Sequence, residues 1–387
     1  MKNKKETLLI LTILITICII IFNRDKLYEA KYTEPKDTLL AITINGEIST
    51  TFPTTKYYET SVECTTGTGK VEWNGTKWVL TTNGITKGST KCNATFITKV
   101  PTFAETILAN NKVKAPITTP GATISTASEA LLASTEDDYG TSYYFRGAVT
   151  NNYVEFANKC WRIVRVGGDG SVKLILHNDN PTGAANPCDA ANNSASAAFA
   201  HYNGSTYTSR FNENYDDNAY IGFKYGTPGS SKYETTHANT NKSTILTNLE
   251  TWYTNNLKTY ESVIDDTVWC NDKTNVTDTS YDPWSITPNG LGYAKNVTYY
   301  GATKRLVGTS GSAGGTGPSL KCNGELSKIN SKVGLITADE LAFAGYAYNI
   351  GNTTTYLQEN ATNTYWWSLS PNNFNGDNAN VWDVYFS

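Results

Sequence analysis

From Thr7 to Phe22 the chain reads TLLILTILITICIIIF, with no charge and no polar face. Lys2, Lys4 and Lys5 precede this run, and Asn23-Arg24-Asp25-Lys26 ends it. As a helix, sixteen residues span about 24 Å, slightly less than a hydrocarbon core. The pattern predicts a single N-terminal transmembrane helix over residues 7–22, with residues 1–6 as a cytoplasmic tail. The basic residues before it place the N-terminus inside and the C-terminus outside the cell membrane. No small-x-small cleavage site stands near residues 22–30, and Ile17 before Cys18 spoils a lipoprotein box. The run reads as a signal anchor or as a long signal-peptide core, and a retained anchor is expected over a cleaved one.

Beyond a charged spacer at 23–37, the pattern turns to short alternating runs. Leu39 to Asn45 and Tyr57 to Cys64 read as strands. Val71 to Trp78 holds Asn74-Gly75 between apolar positions, which predicts a two-residue type I′ hairpin. That closure sets Trp73 opposite Thr76, Glu72 opposite Lys77 and Val71 opposite Trp78. Residues 38–100 are thus expected as a small all-β domain. Residues 101–138 carry Pro101, Pro116 and Pro120 with much Ala, Ser and Thr, and read as a linker with one short helix.

From residue 139 the runs Tyr143 to Val149, Tyr153 to Phe156, Cys160 to Val166 and Ser171 to His177 predict an antiparallel meander. A polar loop region follows over 178–240. Ser243 is the expected N-cap of a helix whose apolar face holds Ile245, Leu249, Trp252, Tyr253 and Leu257. Val333 to Ile336 reads as a short strand. Thr337 and Glu340 then form a capping box, with Gly345 as the stop. Tyr365 to Pro371, an Asn-rich loop and Val381 to Phe386 complete the chain as a last hairpin.

Composition narrows the setting. Charged residues are 17% of the 387, and aromatics 12%, with 25 Tyr and 9 Trp. Low charge with many flat amphipathic rings suits a β-rich surface protein. The net charge of −3 argues against nucleic-acid partners. Cys18 lies inside the apolar run, which leaves six cysteines outside. None forms CxxC, and the three histidines (His177, His201 and His237) are isolated, so disulfides are expected rather than zinc. Six cysteines allow 15 pairings. Nearest neighbours within the expected domains give Cys64–Cys92, Cys160–Cys188 and Cys270–Cys322.

Candidate chemistry is sparse. Asp339-Glu340 is better explained by helix capping than by catalysis. Asn212 to Asn218 offers oxygens for calcium, although its spacing is that of no EF-hand and a solvated loop is the simpler reading. Gly308 to Gly317 is no phosphate loop, because no Gly-Lys-Ser/Thr follows. No GxSxG, HExxH or Cys/His dyad is present, so no enzyme is expected. The best binding candidate is the C-terminal region. It joins Trp366, Trp367, Phe374 and Trp382 to Asn372, Asn373, Asn375, Asp377, Asn378, Asn380 and Asp383. Aromatics supply contact area, and amides supply paired donors and acceptors. The alternative is that one of the adjacent tryptophans is core and the asparagines form turns.

The segments YYFRGAV (143–149), CWRIVRVGGDGSVKLIL (160–176), VWCNDK (268–273), GLITADELAFAG (334–345) and YWWSLSP (365–371) together resemble a domain of unknown function. That domain occurs in anchored surface proteins of low-GC Gram-positive gut bacteria. It is similar to the C-type-lectin-like and formylglycine-generating-enzyme-like superfamily. The resemblance covers residues 139–387 and implies an α+β C-type-lectin-like domain with long loops around a ligand surface. The family continues past the last strand into a further hairpin, so either a truncated chain or an incomplete final sheet at Ser387 is expected. The enzyme branch uses a late cysteine pair, and no cysteine follows Cys322. Members with a C-terminal segment diversified at adenine-rich Asn codons are also similar to the Asn run here. The reading that results is a membrane-anchored extracellular binding or adhesion protein for a protein or glycan. The rivals are a non-catalytic structural component of the cell envelope and an extracellular enzyme of the formylglycine-generating branch.

Overall fold

The computed structural model describes residues 39–86, 88–192, 209–322, 328–351, 354–357 and 366–384. The chain divides into two compact units, Met1–Thr102 and Phe103–Ser387. The expected anchor over 7–22, the spacer over 23–37, Cys18, His201 and Tyr365 lie outside the described residues.

In the first unit Leu39–Ile44 is a central strand. It pairs antiparallel with Glu47–Ser49 and parallel with Lys91–Thr98, and Tyr58–Cys64 closes the sheet on the far side of Lys91–Thr98. Register decides the core. Leu40 stands beside Cys92 and Ile42 beside Ala94, and all four are buried. Phe96 extends the same face and takes the rings of Phe52, Tyr58 and Trp78 around it. Cys64 and Cys92 stand directly opposite across Tyr58–Cys64 and Lys91–Thr98 and are disulfide-bonded.

The hairpin of Thr68–Trp73 and Trp78–Asn83 departs from expectation. Trp73 pairs with Trp78, Glu72 with Val79 and Val71 with Leu80, so the loop has four residues, not two. The Asn74 side chain accepts from Thr76 N at 3.1 Å and from Lys77 N at 2.9 Å, and of Asn74 and Gly75 only Gly75 has positive φ. A type I′ turn needs two positive values. The Asx turn supplies hydrogen bonds without them, and it sets the two tryptophan rings edge to face at 5.5 Å.

The second unit is built on a five-stranded antiparallel sheet. Ala130–Asp137, Gly140–Gly147, Lys159–Val166 and Val172–Asn178 follow one another across it, with Tyr153–Phe156 paired to Lys159–Val166. The segment expected as a linker supplies its edge strand and the helix Phe103–Asn110. The core joins Leu132, Phe145, Ile163, Val164 and Val166 to Ile107, Leu341 and Trp366. Trp161 instead packs with Tyr253 and Leu257 below the helix Thr244–Asn256, whose N-cap Ser243 accepts from Leu246 N. At Gly147 (φ 77) an added Cβ would lie 1.4 Å from the Glu129 carbonyl oxygen, so only glycine fits there.

The α+β lectin-like class is corrected. The regular structure of the described residues is mostly β-strand, with few helices and only one longer than eight residues. Thr, Tyr, Val and Asn favour strands and turns over helices. No helix among the described residues is long and apolar enough to cross a membrane. Val333 to Ile336 forms no strand. Lys328–Ser331 takes that place, because its four residues meet Thr267–Cys270 in continuous register.

Candidate functional site

The C-terminal hairpin joins Trp366–Phe374 to Ala379–Val384, and Thr298–Tyr299 adds a third strand beside Trp366–Phe374. The ladder is irregular on both sides of Pro371, which has no N–H to donate. Irregular pairing shifts the alternation of faces, so the eleven candidate residues do not converge on one surface.

Trp366, Asn373 and Phe374 face inward and are buried. Asn372 is tied into the frame, since its carbonyl accepts from Tyr300 N at 3.0 Å and from Thr303 Oγ1 at 2.8 Å. Asn375 folds the turn, its Oδ1 accepting from Asp377 N at 3.1 Å and Asn378 N at 2.8 Å. Asn380 Nδ2 donates across the hairpin to Asn373 Oδ1 at 3.1 Å. Trp382 is half-buried, with Tyr348 edge-on at 5.6 Å and Trp284 at 6.5 Å. What remains outward is Trp367, Asn375, Asp377 and Asp383. Trp367 is 38% exposed. It is register partner to Asp383, so the two side chains share one face. Its Nε1 donates to the Ser209 carbonyl at 3.0 Å, and its ring meets Phe211 edge-on at 6.2 Å. An indole held at both edges keeps its orientation at low entropic cost, as a binding anchor requires.

A charged cleft, which the linear pattern does not reveal, lies where the meander meets two helices. Asp137, Asp138, Arg165, Lys173, Asp272, Arg305, Asp339 and Glu340 line it, together with the Cys270–Cys322 disulfide. Glu340 takes Lys173 Nζ on both oxygens at 2.7 Å and Arg165 Nε at 3.0 Å. Arg165 also reaches Asp137 at 3.0 Å. Arg305 bridges Asp339, at 2.7 and 2.8 Å, and Asp272, at 2.6 Å. Burial raises the Glu340 carboxyl, but the two cations and their hydrogen bonds outweigh it and bring it down to about 2. Burial pulls Lys173 down, the Arg165 charge adds to that, and Glu340 restores only part of it.

The cleft encloses about 40 Å³, room for a few waters and far less than a sugar or peptide needs. Its acids are engaged by arginine, lysine or backbone N–H groups. Glu340 also completes the capping box on Thr337. This arrangement staples helix to sheet. Among the described residues no group of three His, Cys, Asp or Glu could hold a metal ion. In the Asn212 to Asn218 loop, Asp217 caps the turn Asn218–Tyr220 and Asn218 Oδ1 accepts from the Tyr300 hydroxyl.

No family model, curated protein or solved structure matches this chain.

Proposed function

We propose that this chain is an extracellular binding protein, held at the cell membrane by residues 7–22, which presents the outward side of its C-terminal hairpin to a protein or glycan ligand. The observation that carries this reading is the cross-strand pair of Trp367 and Asp383, an oriented aromatic beside a carboxylate on an exposed face. Asn375 and Asp377 extend that face with amide and carboxylate groups. Three disulfides, Cys64–Cys92, Cys160–Cys188 and Cys270–Cys322, fit an oxidising compartment. The buried Trp366, Asn373 and Phe374 serve as scaffold in this reading, and Trp382 packs behind the hairpin.

The test uses the full-length chain in detergent micelles, probed against glycan and protein arrays. A saturable binder is expected, lost in the double variant Trp367→Ala, Asp383→Ala while the chain still unfolds cooperatively. No saturable binder, or binding unchanged in the double variant, would sink the proposal.

A further inference from the structure

We propose that Lys273 and Asn239 join in an intramolecular isopeptide bond, the Lys273 amine displacing ammonia from the Asn239 carboxamide. Lys273 follows the strand Thr267–Cys270 and is fully buried. Its Nζ stands 3.0 Å from the Lys224 carbonyl, 3.0 Å from the His237 carbonyl and 2.5 Å from Asn239 Oδ1. These neighbours are fixed. Lys224–Tyr225 pairs with Asn241–Lys242, and the Tyr233 hydroxyl donates to the Lys273 carbonyl. Asn239 itself sits at a φ of 56°, a left-handed conformation that asparagine tolerates better than most residues.

A fully buried amine is out of reach of an external substrate and can react only with its own surroundings. The Lys224 and His237 oxygens beside Nζ belong to peptide groups. Attack there would cleave the chain. The Asn239 oxygen belongs to a side-chain amide, whose leaving group is ammonia. A C=O bond of about 1.2 Å places Cγ of Asn239 within about 3.7 Å of Nζ, close to a reactive approach. Burial, and after it the charge of Lys224, holds the Lys273 amine well below its ordinary range, which favours the neutral form that carries the lone pair.

Two further groups suit the reaction. Asn271 Nδ2 donates to Asn239 Oδ1 at 3.4 Å, where negative charge would develop during attack. The His237 imidazole is buried, and burial keeps it neutral. Its Nδ1 has no hydrogen-bond partner among the described residues, so it is open to carry a proton. In the step a bond forms between Nζ and Cγ, and the bond from Cγ to Nδ2 breaks. One proton passes from Nζ to Nδ2, and ammonia leaves. The reaction consumes no oxidant, reductant or cofactor. The product closes the loop between residues 239 and 273 with a link that reduction does not open.

The experiment is intact mass spectrometry of the reduced, denatured full-length chain, followed by peptide fragmentation. The expected mass is one ammonia below that of the sequence, with a branched peptide that joins Lys273 to Asn239. Lys273→Arg keeps donors at the site but removes the nucleophile, and should restore the full mass. A wild-type chain of full mass with separate Lys273 and Asn239 peptides overturns the proposal. So does an ammonia deficit that persists in Lys273→Arg or that maps to another residue pair.

Discussion

Glu340 binds Lys173 through both carboxylate oxygens, at 2.7 Å each, while closing the capping box on Thr337 from the same side chain. One residue thus joins the first turn of the helix Ala338–Ala344 to the strand Val172–Asn178. Glu340→Gln leaves Lys173 and Arg165 without their shared counter-charge in a buried setting. Removing one partner of a buried pair costs about 3–5 kcal/mol. Urea unfolding of the variant should show a loss of that size. A change below about 1 kcal/mol would show that water enters the cleft and screens the pair.

Acid should act through the same carboxyl. Glu340 lies at about 2 in the fold, against an ordinary value of 4.5. A depressed acid stabilises the fold fully above its unfolded value, and the contribution is lost as pH falls through the folded one. For this shift the contribution is about 3 kcal/mol, present above about pH 5 and lost towards pH 2. Chemical unfolding at a series of pH values should show that decline, and Glu340→Gln should flatten it.

Neighbouring tryptophans should behave in opposite ways. Trp366 is 8% exposed and lies in the main core of the second unit. Trp366→Ala should cost about 3–5 kcal/mol. Trp367 contributes one hydrogen bond and an edge contact at the surface, so Trp367→Ala should cost less than about 1.5 kcal/mol. Equal losses in the two unfolding curves would contradict the assigned faces.

The disulfides offer a stability test. Cys270 and Cys322 are 52 residues apart. The chain-entropy model gives such a loop about 4 kcal/mol. The double variant Cys270→Ser, Cys322→Ser should lose an amount of that order. Thiol labelling of the unreduced, denatured wild type should modify Cys18 alone, since the other six cysteines are paired.

Gly147→Ala should be more damaging than any surface change. Its φ of 77° disfavours a side chain, and the Glu129 carbonyl occupies the space for one. The preceding residue, Arg146, donates to the buried Glu129 carboxylate at 2.9 Å, so a backbone shift would reach that pair as well. Strained backbone together with a disturbed buried ion pair should exceed about 3 kcal/mol in an unfolding assay.

Local physics was legible in the chain before any fold was known. The Ser243 cap and the Thr337–Glu340 box are set by residues within one turn of each other, and both form. The meander strands followed from period-two alternation and from turns at Asn and Gly. The disulfide pairs followed from the even count of six and from proximity along the chain. The Asn74-Gly75 register was missed because the Asn74 side chain outcompetes the backbone turn its dipeptide suggests. The expected α+β class failed because the short apolar runs around the helices are spent on additional strands such as Ala130–Asp137 and Lys328–Ser331. No local period distinguishes an edge strand of that kind from a linker.

The charged cleft and the Lys273 environment belong wholly to tertiary structure. Arg165 meets Glu340 across 175 positions, and Lys273 meets Asn239 across 34. A charged residue in a linear sequence reads as solvated, because most are. Only the packed chain removes the water and selects the partner. The sequence by itself determined which segments turn, cap and alternate, since those choices depend on neighbours in the chain. The tertiary structure decided which side of the last hairpin faces outward and which charges lie buried, since burial is a property of the whole unit.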